Sequence, residues 1–270
     1  MDYLGYKQLP RTPELDAHRR VHLDRYANIA QISQLTVHLL IFLYNLATLD
    51  PASKRTKTSP KDNGSHSANS ISAKLGKAVG RGYGTYGQWI FGLTWTAWLG
   101  FLCIAETAPD YMHLTKRFGL VAASQLPIHY LLAAVPHPYS PVYYLWKSPR
   151  SLNMALHKVT GKIIIGFFAA HVVLYGSRFV QMGIFFRLVQ QLNIAVGVIS
   201  AAVFLTIGIT STAFFRRRKY WWFYRVHVVG SAIVLPLLFF HVRHIRVYLF
   251  ESAVVVALNA ALRVFSARRP

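Results

Sequence analysis

The 270-residue sequence predicts an all-α integral membrane protein, a helix bundle of six to seven transmembrane helices. Three observations carry that expectation. Charged residues are 14% of the chain, well below the roughly 25% of an average soluble domain. Apolar stretches long enough to cross a bilayer recur along it. A formal net charge of +21 is distributed mainly between those stretches, which reads as basic loops flanking membrane spans rather than as a nucleic-acid surface. Cys103 is the sole cysteine. It excludes an internal disulfide, a Cys-rich zinc site and the Cys-x-x-Cys-His attachment of a c-type haem.

Residues 1–27 read as a polar N-terminal tail: Arg11, Arg19, Arg20 and Arg25 interrupt them, and no signal-peptide apolar core is present. Helical spans need roughly 17 to 25 apolar residues. Stretches near 28–49, 88–106, 118–135, 154–177, 190–212, 222–243 and 247–265 approach that length. The first is diluted by Gln31, Ser33, Gln34 and His38. Between the first two, residues 50–87 are rich in Ser, Lys and Gly and predict a solvated basic loop. Residues 88–265 form one six-helix unit, and 266–270 a short basic tail. Lys54, Arg55, Lys57, Lys61, Lys74, Lys77 and Arg81, together with the Arg216–Lys219 cluster, place the 50–87 loop and the C-terminus in the cytosol. That orientation leaves the sequon Asn63-Gly64-Ser65 unglycosylated.

Two soluble-protein motifs fail on context. Gly82-Tyr83-Gly84-Thr85-Tyr86-Gly87 has the G-x-G-x-x-G pattern, but a membrane span follows where a βαβ unit belongs. His137-Pro138-Tyr139-Ser140 resembles an element of flavin-binding barrels, yet no strand-rich region surrounds it, and a turn is expected.

An ionisable side chain inside a membrane span is costly and marks a functional site. His157 and His171 share one span, His227 and His241 another, and both pairs are 14 residues apart. On an α-helix that step falls only about 40° short of whole turns and climbs about 21 Å. Each helix therefore presents two histidines on one face, near opposite membrane borders. With one span between them the two helices run parallel, which brings His157 level with His227 and His171 level with His241. Two stacked bis-imidazole sites result, the ligand set of two b-type haems suited to electron transfer. Gly161 and Gly230, about one turn beyond His157 and His227, would let a flat porphyrin approach the backbone. Single His38 and His129 suggest interhelical hydrogen bonds. His18, His22, His66, His113 and His137 read as surface residues, and His244 as an interface anchor or an acceptor contact.

These residues carry a family resemblance. The segments KRFGLVAASQLPIHYLLA, LHKVTGKIIIGFFAAHVVLYGSRF, YWWFYRVHVVGSAIVLPLLFFHVRHIRVYLFES and ALNAALRVFSARR, over about residues 115–265, resemble the transmembrane part of the fungal ferric reductase and NADPH oxidase superfamily. Two equal 14-residue steps are more similar to the ferric reductases than to the superoxide-producing oxidases. The resemblance implies that His157 and His227 hold an inner haem b, and His171 and His241 an outer one. Full-length members continue into FAD- and NADPH-binding domains, whereas this sequence stops at Pro270. FAD and NADPH are thus expected only through a separate flavoprotein reductase.

The expected function is transmembrane electron transfer from a cytosolic reductant to an acceptor such as a ferric chelate, as the transmembrane component of a metalloreductase. Dioxygen or a metabolite as acceptor, or a regulatory scaffold derived from a reductase, are the alternatives. Lys158, Lys162 and Arg225 lie near the inner ligands, where they suit haem propionates, a docking flavoprotein or simple anchoring. Arg178, Arg243 and Arg246 lie near the outer pair, with an anionic acceptor, propionates and lipid phosphates as open roles. The location is a multi-pass position in the plasma membrane or an endomembrane such as the vacuole.

Overall fold

The computed structural model describes residues 5–10, 12–48, 71–80, 84–133 and 150–267. The basic stretch from Lys54 to Lys61, Asn63, Arg81, Gly82, Tyr83, the His137–Ser140 motif and the C-terminal tail from Arg268 lie outside the described residues.

Helix α1 (Pro13–Thr48) begins well before the apolar run at 28. Its start has good local chemistry: Thr12 Oγ1 accepts from Leu15 N at 3.2 Å, Pro13 opens the first turn, and Glu14 and Asp16 oppose the helix dipole there. The polar stretch after Pro13 is thereby wound onto the same helix, which carries Arg19 to the buried carboxylate of Asp110. A short α2 (Ile71–Gly76) and an antiparallel pair, β1 (Ala78–Gly80) with β2 (Gly84–Thr85), lead into α3 (Tyr86–Ile104). Thr85 caps α3 by accepting from Gln88 N at 3.3 Å. Thus Gly84 begins a two-residue strand and Gly87 lies in the first turn of α3.

The run at 118–135 maps onto two helices in succession, α4 (Tyr111–Ser124) and α5 (Leu126–Leu132). Asp110 caps α4 by accepting from Met112 N and His113 N at 3.0 and 3.2 Å. Pro127 lacks the N–H that would continue the ladder, and the chain breaks at Gln125. Then follow α6 (Arg150–Gln181), α7 (Phe185–Val189), α8 (Leu192–Thr210), α9 (Ala213–Arg218), α10 (Tyr220–His241), a 3-10 turn at Arg243–Ile245, and α11 (Arg246–Ala267).

Among the described residues, five segments are long and apolar enough to cross a membrane: Pro13–Leu43, Arg150–Gln181, Leu192–Thr210, Tyr220–His241 and Arg243–Leu262. The chain is a multi-pass integral membrane protein. Helix α4 lies at the centre, packed against α1, α3 and α6, and its run Gly119–Ser124 is buried on every side. Small residues there, Gly119, Ala122, Ala123 and Ser124, let neighbouring backbones come close. Leu39, Leu40, Phe101, Val173, Leu205 and Phe240 are exposed on the outside of the bundle, as expected of helices facing lipid.

The central packing encloses charge as well. Arg117 is fully buried; it donates to Leu102 O at 3.1 Å and to His113 Nε2 at 2.9 Å, and lies 4.0 Å over the Tyr26 ring. Desolvation of such a guanidinium is tolerable only with partners of this kind. His113, expected at the surface, is buried beside it. A helix-period reading places it outside the third apolar run, but the Asp110 cap starts α4 early and turns His113 inward.

Candidate functional site

Helices α6 and α10 each carry two of the four intramembrane histidines, and α8 connects them antiparallel to both. At one end His157 and His227 face each other with ring centres 6.0 Å apart and planes at 73°. His171 and His241 occupy the other end, near enough to interact electrostatically.

Every one of the four rings uses Nδ1 for a hydrogen bond to a neighbouring segment. His157 Nδ1 donates to His129 O at 3.2 Å, His171 Nδ1 to Thr115 O at 2.8 Å, and His241 Nδ1 to Asn193 O at 2.7 Å. A carbonyl only accepts, so in these three rings Nδ1 carries the proton and Nε2 keeps its lone pair. His227 Nδ1 shares a hydrogen bond with Ser211 Oγ at 3.1 Å. An imidazole fixed in this way through one nitrogen is prepared to bind a metal through the other.

Glycines make room for two of the rings. A Cβ on Gly119 would lie 2.8 Å from His171 Nδ1, and one on Gly197 would lie 2.5 Å from His241 Nδ1. Each glycine stands one helical turn after the residue whose carbonyl accepts: Thr115 then Gly119 on α4, Asn193 then Gly197 on α8. A side chain at either position would push the ring off its acceptor.

The glycines singled out from sequence have other neighbours. A Cβ on Gly161 would lie 2.9 Å from His129 Cε1, and one on Gly230 would lie 3.1 Å from the Ile207 side chain. Gly161 thus seats His129, and Gly230 seats α10 against α8. His129 joins the first pair: its ring stacks on His157 at 4.2 Å and 14°, and its Nδ1 bonds Thr160 Oγ1 at 3.0 Å. The interhelical bond expected of His129 is present, but the stacking has no trace in a histidine spacing. Thr115, Asn193, Ser211, Gly119 and Gly197 were equally illegible, since carbonyl acceptors and cleared space leave no residue signature.

Among the charged candidates, Lys158 is exposed on α6, and Arg225 is exposed and stacks over Trp221 at 3.8 Å. At the opposite end Arg178 donates to Gln8, and Arg246 donates to Phe239 O at 3.0 Å while lying 4.3 Å over the Phe239 ring. Arg243 and His244 are exposed on the 3-10 turn between α10 and α11. At that same rim, hydrogen bonds from Tyr26 and then from His22, the latter at 3.0 Å, hold the exposed Glu106 carboxyl below its ordinary range.

Among the described residues no three His, Cys, Asp or Glu side chains are arranged so that together they could hold one metal ion. A pair of imidazoles would suit a metal that arrives with its other ligands in place. A metal–imidazole bond of about 2 Å on each side sets facing ring centres about 6 Å apart, the separation that His157 and His227 show.

Residues 118–238 match the family described as ferric reductase like transmembrane component. A protein named "Probable metalloreductase AIM14" from Yarrowia lipolytica is 34% identical over 155 residues, which are 57% of this chain and 28% of that protein. A "Probable ferric reductase transmembrane component" from Eremothecium gossypii is 29% identical over 169 residues, 63% of this chain and 23% of that protein. A second "Probable metalloreductase AIM14", from Meyerozyma guilliermondii, is 31% identical over 146 residues, 54% of this chain and 28% of that protein. The chain thus matches about a quarter of the length of these curated relatives. No solved structure matches it significantly.

Proposed function

Because residues 118–238 match the ferric reductase like transmembrane component family, we propose that this chain conducts electrons across the membrane through two b-type haems toward a metal acceptor. The observation that supports this most is the arrangement of the four histidines: one pair at each end of two parallel helices, every ring hydrogen-bonded through Nδ1, with His157, His171 and His241 thereby offering Nε2. His157 and His227 would hold the inner haem, and His171 and His241 the outer one. When bound by these imidazoles, haem iron would supply a one-electron couple.

The chain's own residues do the positioning. Helices α4, α5 and α8 supply the acceptors that set the imidazole planes, and Gly119 and Gly197 keep the outer rings seated. Lys158 and Arg225, exposed at the inner end, are placed to meet propionates or an acidic partner. Arg243 and His244, exposed at the outer end, suit an anionic ferric chelate. A hydride from NADPH carries two electrons and a haem takes one, so a flavin has to divide the pair. A flavoprotein reductase bearing FAD and NADPH sites is the electron source in this reading.

Purified chain from haem-replete expression should give about two haems by pyridine haemochrome, following the count of two axial pairs. A reduced-minus-oxidised spectrum without a haem signal would rule the reading out. In liposomes, NADPH with the chain alone should reduce no external ferric chelate, and adding a flavoprotein reductase to the His157 side should start the reaction.

A further inference from the structure

Helix α5 ends at Leu132, within one turn of His129. Its last turn tightens, with Ala133 N turning to Tyr130 O at 3.2 Å, and the His129 carbonyl is among those a helix end leaves without an intrahelical donor. His157 Nδ1 donates to that carbonyl at 3.2 Å. The His129 side chain then turns back onto α6. Thr160 Oγ1 gives its own proton to Leu156 O at 2.9 Å, so toward His129 it acts as acceptor, and His129 Nδ1 is the donor in their 3.0 Å bond. The imidazole comes to rest parallel to the His157 ring, 4.2 Å away, in the space that Gly161 leaves open.

One residue therefore fixes another twice, through its carbonyl and through its ring. From this interlock we infer that His129 is a positioning residue for the inner haem: its carbonyl sets the His157 tautomer and its stacked ring sets the plane in which His157 presents Nε2. The inference rests on the haem reading above. The outer histidines His171 and His241 have no stacked imidazole among the described contacts, so the effect belongs to one site of the two. His129 lies within the family-matched segment, and its ring meets His157 face to face at 4.2 Å, a closer approach than the 6.0 Å between the ring centres of His157 and His227.

The test uses the full chain with both haems bound and reads haem count together with low-temperature electron paramagnetic resonance of the oxidised protein. The outer haem serves as the internal reference. His129→Ala should keep two haems per chain and shift one of the two low-spin signals, because the His157 plane is released. His129→Phe restores a flat stacked ring and should bring that signal most of the way back. Thr160→Ala, which frees the same ring from α6, should move the same signal by less. Unchanged signals in His129→Ala, or equal shifts of both, would overturn the role. So would loss of one haem that Phe does not rescue, since the imidazole would then be a ligand itself. Should His129→Ala fail to accumulate, the Phe and Thr160→Ala chains decide by the same signals. Failure of the haem reading is distinct: the unsubstituted chain would show no haem at all.

Discussion

The two ends of the histidine cage hold their rings by different means. At the end assigned outward in the proposed conduit both imidazoles donate to main-chain carbonyls inside regular helices, Thr115 O on α4 and Asn193 O on α8, and a glycine one turn later clears the space. At the inner end His157 uses a carbonyl freed by the end of α5, and His227 uses the Ser211 hydroxyl at the C-cap of α8. The outer rings are set by backbone, which moves only if a packed helix moves. The inner rings are set at helix ends and by a removable side chain. In the proposed conduit the outer site is the rigid one, and the inner site, where electrons would enter, is the adjustable one.

That contrast is open to test, and the largest effect should come from removing a ligand. His241→Ala should cut haem content from two per chain to about one by the ligand count, abolishing transfer to an external acceptor while the inner haem stays reducible. Two haems retained in this chain would deny the outer site its axial pair. Next, Gly197→Ala should disturb the outer site as strongly as a mild ligand loss, because the new Cβ would fall 2.5 Å from His241 Nδ1. The overpacking costs about 1–3 kcal/mol, read as a lower melting temperature and a lowered outer haem occupancy. Gly230→Ala, meeting the aliphatic side chains of Ile207 at 3.1 Å and Val203 at 3.4 Å and no histidine ring among the nearest atoms, should spare the haems.

The carbonyl-versus-hydroxyl difference predicts a smaller asymmetry. Ser211→Ala deletes the partner of His227 and should weaken inner haem retention about 10-fold or more. Thr115→Ala and Asn193→Ala keep their carbonyls and should change outer haem retention little. Equal losses in all three would erase the distinction between the ends. The smallest effect lies at the outer rim. The Glu106 carboxyl titrates below its ordinary range through Tyr26 and His22, so its contact stabilises the fold above the unfolded glutamate pKa and is lost as pH falls through the lowered folded value. A melting series over acidic pH should show this in the parent chain and lose it in Glu106→Gln, with neither haem signal affected.

Much of the site's outline was legible because helix periodicity and membrane cost act on the sequence directly. An apolar run with a histidine at each end, repeated at the same spacing, needs only the α-helical rise and turn to bring one histidine of each helix to each end of the bundle. The start of α1 and the turning inward of His113 were not legible, since caps at Thr12 and Asp110 extend helices beyond their apolar runs. His129 shows the same limit inside the site. Its hydrogen bond to a neighbouring helix could be expected of any membrane histidine, but its stacking on His157 depends on where α5 breaks.

The sequence by itself determined a helical membrane chain and the residues that could face one another across it, because burial cost and helical repeat are local properties of a run of side chains. Only the tertiary structure decided which nitrogen His157, His171 and His241 offer, for that depends on carbonyls of His129, Thr115 and Asn193 that any residue would possess. It alone decided which glycines matter, because the absence of a side chain acquires meaning only from the ring that fills its place: His171 beside Gly119 and His241 beside Gly197.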